Sequence, residues 1–159
     1  MIRYTCPHSV VADTLAHLRA AGRWNKECVV LWLAPRASSS DAPPICAAYL
    51  PLQEARADRF RIPPEGMSTL MAHLRAHKLR LAAQVHSHPY EAFHSIADDD
   101  WAVVRREGGL SVVVPDFASH TTPENFVSDA KFYHLTASDR WLELEIISAA
   151  FEIVDDNRA

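Results

Sequence analysis

Residues 79–100 read LRLAAQVHSHPYEAFHSIADDD, a stretch that joins a predicted buried strand to a cluster of polar side chains. Its apolar part, residues 79–85, is short and almost continuous, which is typical of a strand inside a sheet. Because residues i and i+2 of a strand lie on one face, His86 and His88 are expected to project together. Pro89 ends the strand, so we expect both imidazoles at its rim.

This spacing suits a metal ion, since two imidazoles on one face can share a tetrahedral ion. Asp98 lies ten residues after His88, at the start of a predicted helix, and is the candidate for a third ligand. Three protein ligands and one open position are typical of catalytic zinc rather than structural zinc. Water in the open position has its pKa lowered by zinc to roughly 7.

Two further side chains are candidates for catalysis. Glu27 is an acid that begins a predicted buried strand over residues 27–33, and a buried acid needs a compensating partner. If Glu27 borders the metal site, it can accept the proton of the water and pass it to a leaving amine. Ser95 can donate a hydrogen bond to the oxyanion that forms beside the metal.

Each of these features also has a purely structural explanation. A His-x-His pair alone is common at strand edges without a metal. Ser95 and Asp98 match a helix N-cap followed by an acid three residues later, and the acids at 98–100 suit the positive end of a helix. Capping and metal binding are compatible, because a capped helix start still directs a carboxylate. Only the combination of motifs is specific.

The rest of the chain predicts alternating helices and strands. The predicted elements are a helix over 9–21 with Ser9 as N-cap, strands over 45–50 and 59–62, a helix that opens at Pro63-Pro64 and buries Met67, Leu70, Met71 and Leu74, a helix over 97–107, a strand over 110–114, and a hairpin of 131–135 with 141–147. Residues 35–44 and 116–126 are predicted loops. This order predicts one α/β domain over residues 1–159, with a mixed sheet flanked by helices.

Composition narrows the class of protein. The net charge of -4 over 159 residues gives no support for a nucleic acid or a membrane as partner. Cys6, Cys28 and Cys46 include no Cys-x-x-Cys pair, which predicts a reduced, cytoplasmic protein with small buried thiols. We expect no signal peptide and no membrane span. The four tryptophans are expected in the core.

Three other histidines are weaker candidates for metal ligands. His73 and His77 are four residues apart on the predicted second helix, which is a legitimate metal spacing. They lack the companion acid of a His-Glu-x-x-His motif, so a solvated helix face is the preferred interpretation. His94 is close to the site in sequence and is assigned no ligand role.

The combined pattern resembles the JAMM motif of the JAB/MPN metalloprotease family. The resemblance rests on Glu27, on His86-Ser87-His88-Pro89 and on Ser95-Ile96-Ala97-Asp98. The order of elements over roughly residues 9–114 is also similar to the MPN fold, which is cytidine-deaminase-like. The resemblance implies a zinc ion held by His86, His88 and Asp98, with Glu27 as general base and Ser95 as oxyanion stabiliser.

Two details differ from the usual family pattern. Six residues separate His88 from Ser95, one fewer than is common, which leaves Asp99 as an alternative third ligand. The glycine that commonly follows the catalytic Glu is absent from Glu27-Cys28-Val29-Val30. We interpret this as variation within the family, because all the ligands are present.

The resemblance also implies a function. Members of the family cleave isopeptide or peptide bonds, often after the C-terminal glycine of ubiquitin or a ubiquitin-like protein, in deconjugation or in maturation of a precursor. Compact bacterial members accompany E1-like and E2-like proteins in conjugation operons, including antiviral ones. The alternatives are a hydrolase of sulfur-carrier or amino-acid adducts and a non-catalytic MPN scaffold; the complete ligand set disfavours the scaffold. Residues 51–62 and 115–130 are the candidate substrate loops.

Overall fold

The computed structural model describes residues 3–36 and 44–158. The strands are β1 Tyr4–Pro7, β2 Val29–Pro35, β3 Ala47–Tyr49, β4 Glu54–Ala55, β5 Phe60–Arg61, β6 Leu79–Ser87, β7 Leu110–Val114, β8 Lys131–Leu135, β9 Trp141–Glu143 and β10 Phe151–Val154. The helices are α1 His8–Gly22, α2 Pro64–Ala76, α3 Ile96–Asp100 and α4 Phe126–Asp129, with short 3-10 turns at Asp116–Ala118, Ile147–Ala149 and Asp156–Arg158. None of the described helices is long and apolar enough to cross a membrane.

Six of these strands form a mixed sheet in the order β3-β2-β6-β7-β8-β9. Strands β6 and β7 are parallel, and every other neighbouring pair in this sheet is antiparallel. Two small sheets accompany it, a parallel pair of β1 with β10 and an antiparallel hairpin of β4 with β5. The observed sheet, with helices on its faces, confirms the predicted α/β class and fits an MPN-like fold.

Strand β2 shows why the sheet has a core on each face. Its side chains alternate in direction, as in any strand. Val30, Trp32 and Ala34 pack in the core on the α1 side, and the intervening residues Val29, Leu31 and Leu33 pack in the core on the α2 side. A strand buried on both faces gives the continuous apolar sequence that predicted it.

The two long helices cover opposite faces through their apolar stripes. Val11, Leu15 and Leu18 of α1 are fully buried, as their i, i+4, i+7 spacing predicts. Leu70 and Leu74 of α2 are buried as predicted, but Met71 is 45% exposed, so its assignment to the buried stripe was wrong. Helix α2 begins at Pro64, which confirms the predicted proline start.

Several predicted boundaries were wrong. Helix α1 begins at His8 after Pro7, so Ser9 is inside the first turn and is not the N-cap. The third helix covers only Ile96–Asp100 instead of 97–107. Strands β1, β4 and β10 and helix α4 had no prediction. Strand β9 ends at Glu143 rather than at residue 147. Most of the predicted loop over 35–44 lies outside the described residues.

The missed elements have a common feature, which is that each is very short. The missed elements have four residues or fewer, too few to show a hydrophobic period. Their pairing is set by contacts that are distant in sequence, such as Tyr4 with Phe151 across 147 positions. The tryptophans show the same limit, because Trp32 is fully buried, as expected, whereas Trp24 is 77% exposed and Trp101 is 45% exposed.

Candidate metal centre

The histidine pair lies where β6 ends between two neighbouring strands. His86 pairs with Val29 of β2 on one side and with Val113 of β7 on the other. The amide of His88 donates a hydrogen bond of 2.9 Å to the carbonyl of Val114, just beyond the end of β6. These backbone hydrogen bonds therefore fix the backbone positions from which both imidazoles project.

A turn with unusual backbone angles forms hydrogen bonds to the segment that carries His88. Residues 116–118 all have positive φ, between 50° and 59°, although none is glycine. Such a conformation costs energy and persists only where the surrounding structure holds it. Here the amide of Phe117 donates to the carbonyl of His88 at 2.8 Å, and the amide of Asp116 donates to the carbonyl of Tyr90 at 2.9 Å. The turn therefore anchors the loop that carries His88.

Asp98 is positioned by the cap of helix α3. The amide of Ser95 donates to Oδ2 of Asp98 at 2.6 Å, and the amide of Asp98 donates to Oγ of Ser95 at 3.2 Å. This reciprocal pair is a capping box, so the capping interpretation of Ser95 and Asp98 is confirmed. The Ser95 hydroxyl accepts in this pair, which leaves its own hydrogen available for donation to another group.

The capped helix places Asp98 against both imidazoles. Oδ1 of Asp98 lies 3.1 Å from Nε2 of His86, and Oδ2 lies 3.4 Å from Nε2 of His88. One ligand atom from each of the three residues lies within 4.8 Å of the other two. All three side chains are buried. The structure thus brings together the three residues that were predicted as metal ligands.

The chemistry of these residues fits a metal ion. Both ring nitrogens of His86 are buried without a hydrogen-bond partner among the described residues, an arrangement that folded proteins rarely tolerate. Its short approach to Asp98 lacks hydrogen-bond geometry. Burial alone would raise the pKa of Asp98, but His86 and His88 hold it well below its usual range. Asp98 is therefore a carboxylate, the form that binds metal.

Glu27 lies beside this centre, although not on the strand where it was predicted. It precedes β2, which begins at Val29, and its amide donates to the carbonyl of Arg56 at 2.6 Å. Burial raises the pKa of the Glu27 carboxyl to about 7, with His88 acting in the opposite direction. Glu27, His88 and Ser95 line one cavity of about 220 Å³. A carboxyl with a pKa near neutrality is suited to accept and return a proton.

Comparison with known proteins identifies a relative that is a probable metalloprotease. No family model matches the sequence. The chain is 34% identical over 140 residues to the probable metalloprotease y4jG of Sinorhizobium fredii, covering 87% of this chain and 85% of the relative. The chain belongs to this metalloprotease family. Together with the cluster of His86, His88 and Asp98, this membership indicates a metal-dependent peptidase that binds a metal ion at these residues.

A solved structure supports the fold alone. The solution structure of protein DSY2949 from Desulfitobacterium hafniense superposes with a TM-score of 0.66, covering 96% of this chain and 94% of that one. The sequence identity is 16%, so the likeness concerns the arrangement of helices and strands. Sequences with low identity to this chain therefore adopt the same fold.

The alternative ligand, Asp99, lies outside the metal cluster. Its side chain is 56% exposed, and its Oδ1 lies 3.3 Å from Nδ1 of His94. His94 is itself buried, with its ring 6.4 Å from that of His86 and 5.1 Å from that of Tyr133. The structure therefore places Asp98, and not Asp99, between the two imidazoles. His94 packs behind the centre, next to His86.

Sequence reasoning missed other side chains that surround the site. Phe60 of β5 is buried with its ring 5.4 Å from that of His86, and Phe93 packs edge-on against His88 at 4.6 Å. Asp58 lines the cavity that contains Glu27. The position of Phe93 next to the motif was a usable signal. Phe60 and Asp58 carry no local signal, because the β4–β5 hairpin reaches the site only through tertiary folding.

The cysteines have no role in the centre. Cys6 and Cys28 are buried and Cys46 is exposed, and all three are free thiols. Burial raises the pKa of Cys28 to about 11 and raises that of Cys6 further. A thiol with a raised pKa is a poor nucleophile, because the thiolate is the reactive form.

Proposed function

We propose that the protein is a zinc-dependent peptidase of the JAMM type that cleaves after the C-terminus of a ubiquitin-like modifier, in deconjugation or in maturation of a precursor. The observation that carries the proposal is the assembly of one buried site from distant residues: Glu27 faces the cavity that His88 borders, and Asp98 contacts both imidazoles. A metalloprotease relative supports peptide-bond hydrolysis as the reaction.

Zinc is the ion that this donor set favours. His86 and His88 offer imidazole nitrogens, and Asp98 offers a carboxylate oxygen, which together form a three-ligand set of the catalytic type. When bound, zinc supplies Lewis-acid chemistry: it polarises the carbonyl of the scissile bond and lowers the pKa of water.

Glu27 performs the proton transfers in this proposal. Its carboxylate accepts a proton from the attacking water and returns it to the amine of the leaving group. Burial raises the pKa of this carboxyl, which favours holding the accepted proton before its return to the leaving group. The hydrogen bond from the Glu27 amide to Arg56 holds the backbone of this residue in place.

Ser95 stabilises the oxyanion. Its Oγ accepts from the amide of Asp98, so its hydroxyl hydrogen remains free for the oxygen that becomes negative during the reaction. Ser95 lines the same cavity as Glu27, which supports a role for both groups at one substrate carbonyl.

The shape of the cavity supports an extended C-terminal tail as substrate. Pro89, Tyr90 and Phe93 form an apolar part of its wall, and its volume is about 220 Å³, below the usual range of small-molecule sites. A cavity of this small volume with an apolar wall accepts backbone with small side chains more readily than bulky residues. A tail that ends in glycine, as in ubiquitin-like proteins, meets this condition.

The proposal is tested by metal content and by cleavage. Purified protein should contain about one zinc per chain by elemental analysis. It should release a C-terminal extension from a linear fusion of a ubiquitin-like protein, detected by mass spectrometry. Glu27→Gln should keep the zinc but lose about 10²–10⁴-fold in rate, because an amide cannot accept the proton.

Glu91→Gln is the matched control, since Glu91 lines the same cavity and the change removes the same charge. It should retain the wild-type rate within about a factor of three, because no proton transfer is assigned to it. Equal rates for Glu27→Gln and wild type would place the general base elsewhere. Loss of zinc in Glu27→Gln would instead make Glu27 a ligand and contradict the three-ligand set.

A further inference from the structure

A second cavity is lined mainly by residues of the β4–β5 hairpin. We call it the arginine cleft; it has a volume of about 240 Å³ and is lined by Glu54, Arg56, Arg59, Phe60, Arg61 and Trp101. None of these residues lines the cavity of Glu27. The arginine cleft is therefore a separate surface, with a concentration of guanidinium groups in a protein whose net charge is -4.

The arginines of the cleft are only weakly neutralised. Arg61 lies 3.9 Å from Glu54, and Arg59 lies 3.7 Å from Asp58, with all four side chains about half exposed or more. Exposed pairs of this length contribute little energy and exchange readily for better partners. Arg56 forms no ion pair with any residue of the described ranges. Guanidinium donors thus remain available to an incoming carboxylate.

Two aromatic side chains, Phe60 and Trp101, form part of the wall of the cleft. The guanidinium carbon of Arg61 lies 5.5 Å from the ring centroid of Trp101, within cation–π range. Phe60 is buried, whereas Trp101 keeps 45% of its surface exposed. Tryptophan and arginine are among the side chains that most often carry binding energy at protein interfaces.

The cleft is joined to the metal centre by two contacts and by one position adjacent in sequence. The carbonyl of Arg56 accepts the hydrogen bond from the amide of Glu27, and the ring of Phe60 packs against that of His86. Trp101 directly follows helix α3, which carries Asp98. Asp58, which lies between Arg56 and Arg59 in the hairpin, lines the cavity of Glu27, so neighbouring residues of one hairpin border both cavities.

We infer that the arginine cleft binds an acidic side chain of the peptide substrate, close to the scissile bond, and so contributes to substrate selection. The inference rests on the proposed peptidase function for the location of the scissile bond. A peptide carboxylate is favoured over nucleic acid, because the cleft holds three arginines within an acidic protein instead of an extended basic stripe. Bidentate pairing with guanidinium gives such a carboxylate both affinity and orientation.

A binding experiment tests the inference without requiring hydrolysis. The probe is an acetylated, amidated hexapeptide of glycine with two adjacent glutamates, and a second peptide carries glutamines instead. The indole signal of Trp101, assigned by Trp101→Phe, is followed by NMR during titration. We expect the acidic peptide to shift this signal and to bind at least about tenfold more tightly than the glutamine peptide.

Matched variants separate the cleft from general charge. Arg59→Gln combined with Arg61→Gln should weaken binding of the acidic peptide at least about tenfold, since two guanidinium partners are lost. Arg75→Gln combined with Arg140→Gln changes the net charge equally, at exposed arginines that do not line the cleft, and should leave binding unchanged. Equal affinity for the acidic and glutamine peptides, or an unaffected cleft variant, would overturn the inference.

Two further outcomes are informative. If a single-stranded oligonucleotide displaces the acidic peptide at lower concentration than the unlabelled peptide does, the assignment to a peptide carboxylate is wrong. The proposed function fails separately: if the protein cleaves no ubiquitin-like fusion, the Trp101 titration still decides whether the cleft recognises carboxylates. If cleavage occurs but Trp101 does not respond, only the inference about the cleft is lost.

Discussion

Two pairs of histidines in this molecule have spacings that suit a metal, yet they lie in different surroundings. The rings of His73 on α2 and His77 at its C-cap (the α2 pair) are 4.5 Å apart, closer than the 5.2 Å between His86 and His88 at the end of β6 (the β6 pair). However, His77 is exposed, and His73 packs beside the ring of Tyr49 at 4.9 Å. Proximity of two imidazoles therefore does not distinguish a metal site.

The third ligand and the burial make the difference. Asp98 contacts both rings of the β6 pair. Within the described residues, the only group of three potential metal ligands is His86, His88 and Asp98, so the α2 pair has no third ligand. Burial removes the competing hydrogen bonds of water, so unpartnered nitrogens in the β6 pair are costly without a ligand. The exposed His77 is satisfied by solvent. A buried imidazole without hydrogen-bond partners is thus a better indication of a metal site than two neighbouring imidazoles.

The largest expected effect comes from breaking the β6 pair. His88→Ala should reduce zinc content from about one per chain to below about one tenth, because a two-ligand site binds poorly. Elemental analysis measures this directly. His77→Ala should retain full zinc, as the α2 pair has no third ligand. If both variants lose zinc equally, the contrast between the two pairs is wrong.

Thermal unfolding gives a second readout of the same contrast. A chelator should lower the unfolding temperature of the wild type and of His77→Ala, since a ligand that binds only the folded state stabilises it. The His88→Ala protein should show no such shift. A wild type that is insensitive to chelator would contradict a metal at the β6 pair.

An intermediate effect is expected from removing the charge of the third ligand. Asp98→Asn should weaken zinc binding by more than the roughly 10–100-fold that changes outside the ligand set produce. The asparagine oxygen can still accept from the amide of Ser95, so the helix cap is retained. Competition with a chromogenic chelator provides the affinity.

Asp99→Asn is the matched control, because it removes the same charge one residue away. It loses only the exposed contact with His94, so zinc affinity should change by less than about threefold. The reverse ranking, with Asp99→Asn as the more damaging change, would transfer the ligand role to Asp99 and contradict the observed geometry.

The smallest expected effect concerns Ser95, which caps the helix that carries the third ligand, Asp98. Ser95→Ala removes the cap of α3 and should lower the free energy of unfolding by about 1 kcal/mol, measured by urea denaturation. It should also lower activity by roughly 10–100-fold, since both the orientation of Asp98 and the oxyanion donor are affected. Ser95→Thr keeps the hydroxyl and should restore most of both; failure to do so would assign Ser95 to packing.

Part of the fold followed from local pattern. The strand over 79–85, the helix that opens at Pro64 and the strand over 110–114 were all predicted, because each has a clear apolar period or a proline start. The third helix was predicted too long. The acidic run and the two glycines indicated its bounds, but residues beyond Asp100 form irregular structure that no local period describes.

The sequence by itself determined which side chains are chemically suited to the centre, since the spacing of His86 and His88 and the capping of Asp98 by Ser95 are local relationships. Tertiary structure alone decided the rest. Glu27 lies 59 positions before His86, and it reaches the cavity because β2 pairs with β6 at Val29 and His86. The arginine cleft likewise depends on where the β4–β5 hairpin packs. Strand register and hairpin packing are set by the summed burial of many side chains, so no short motif encodes them.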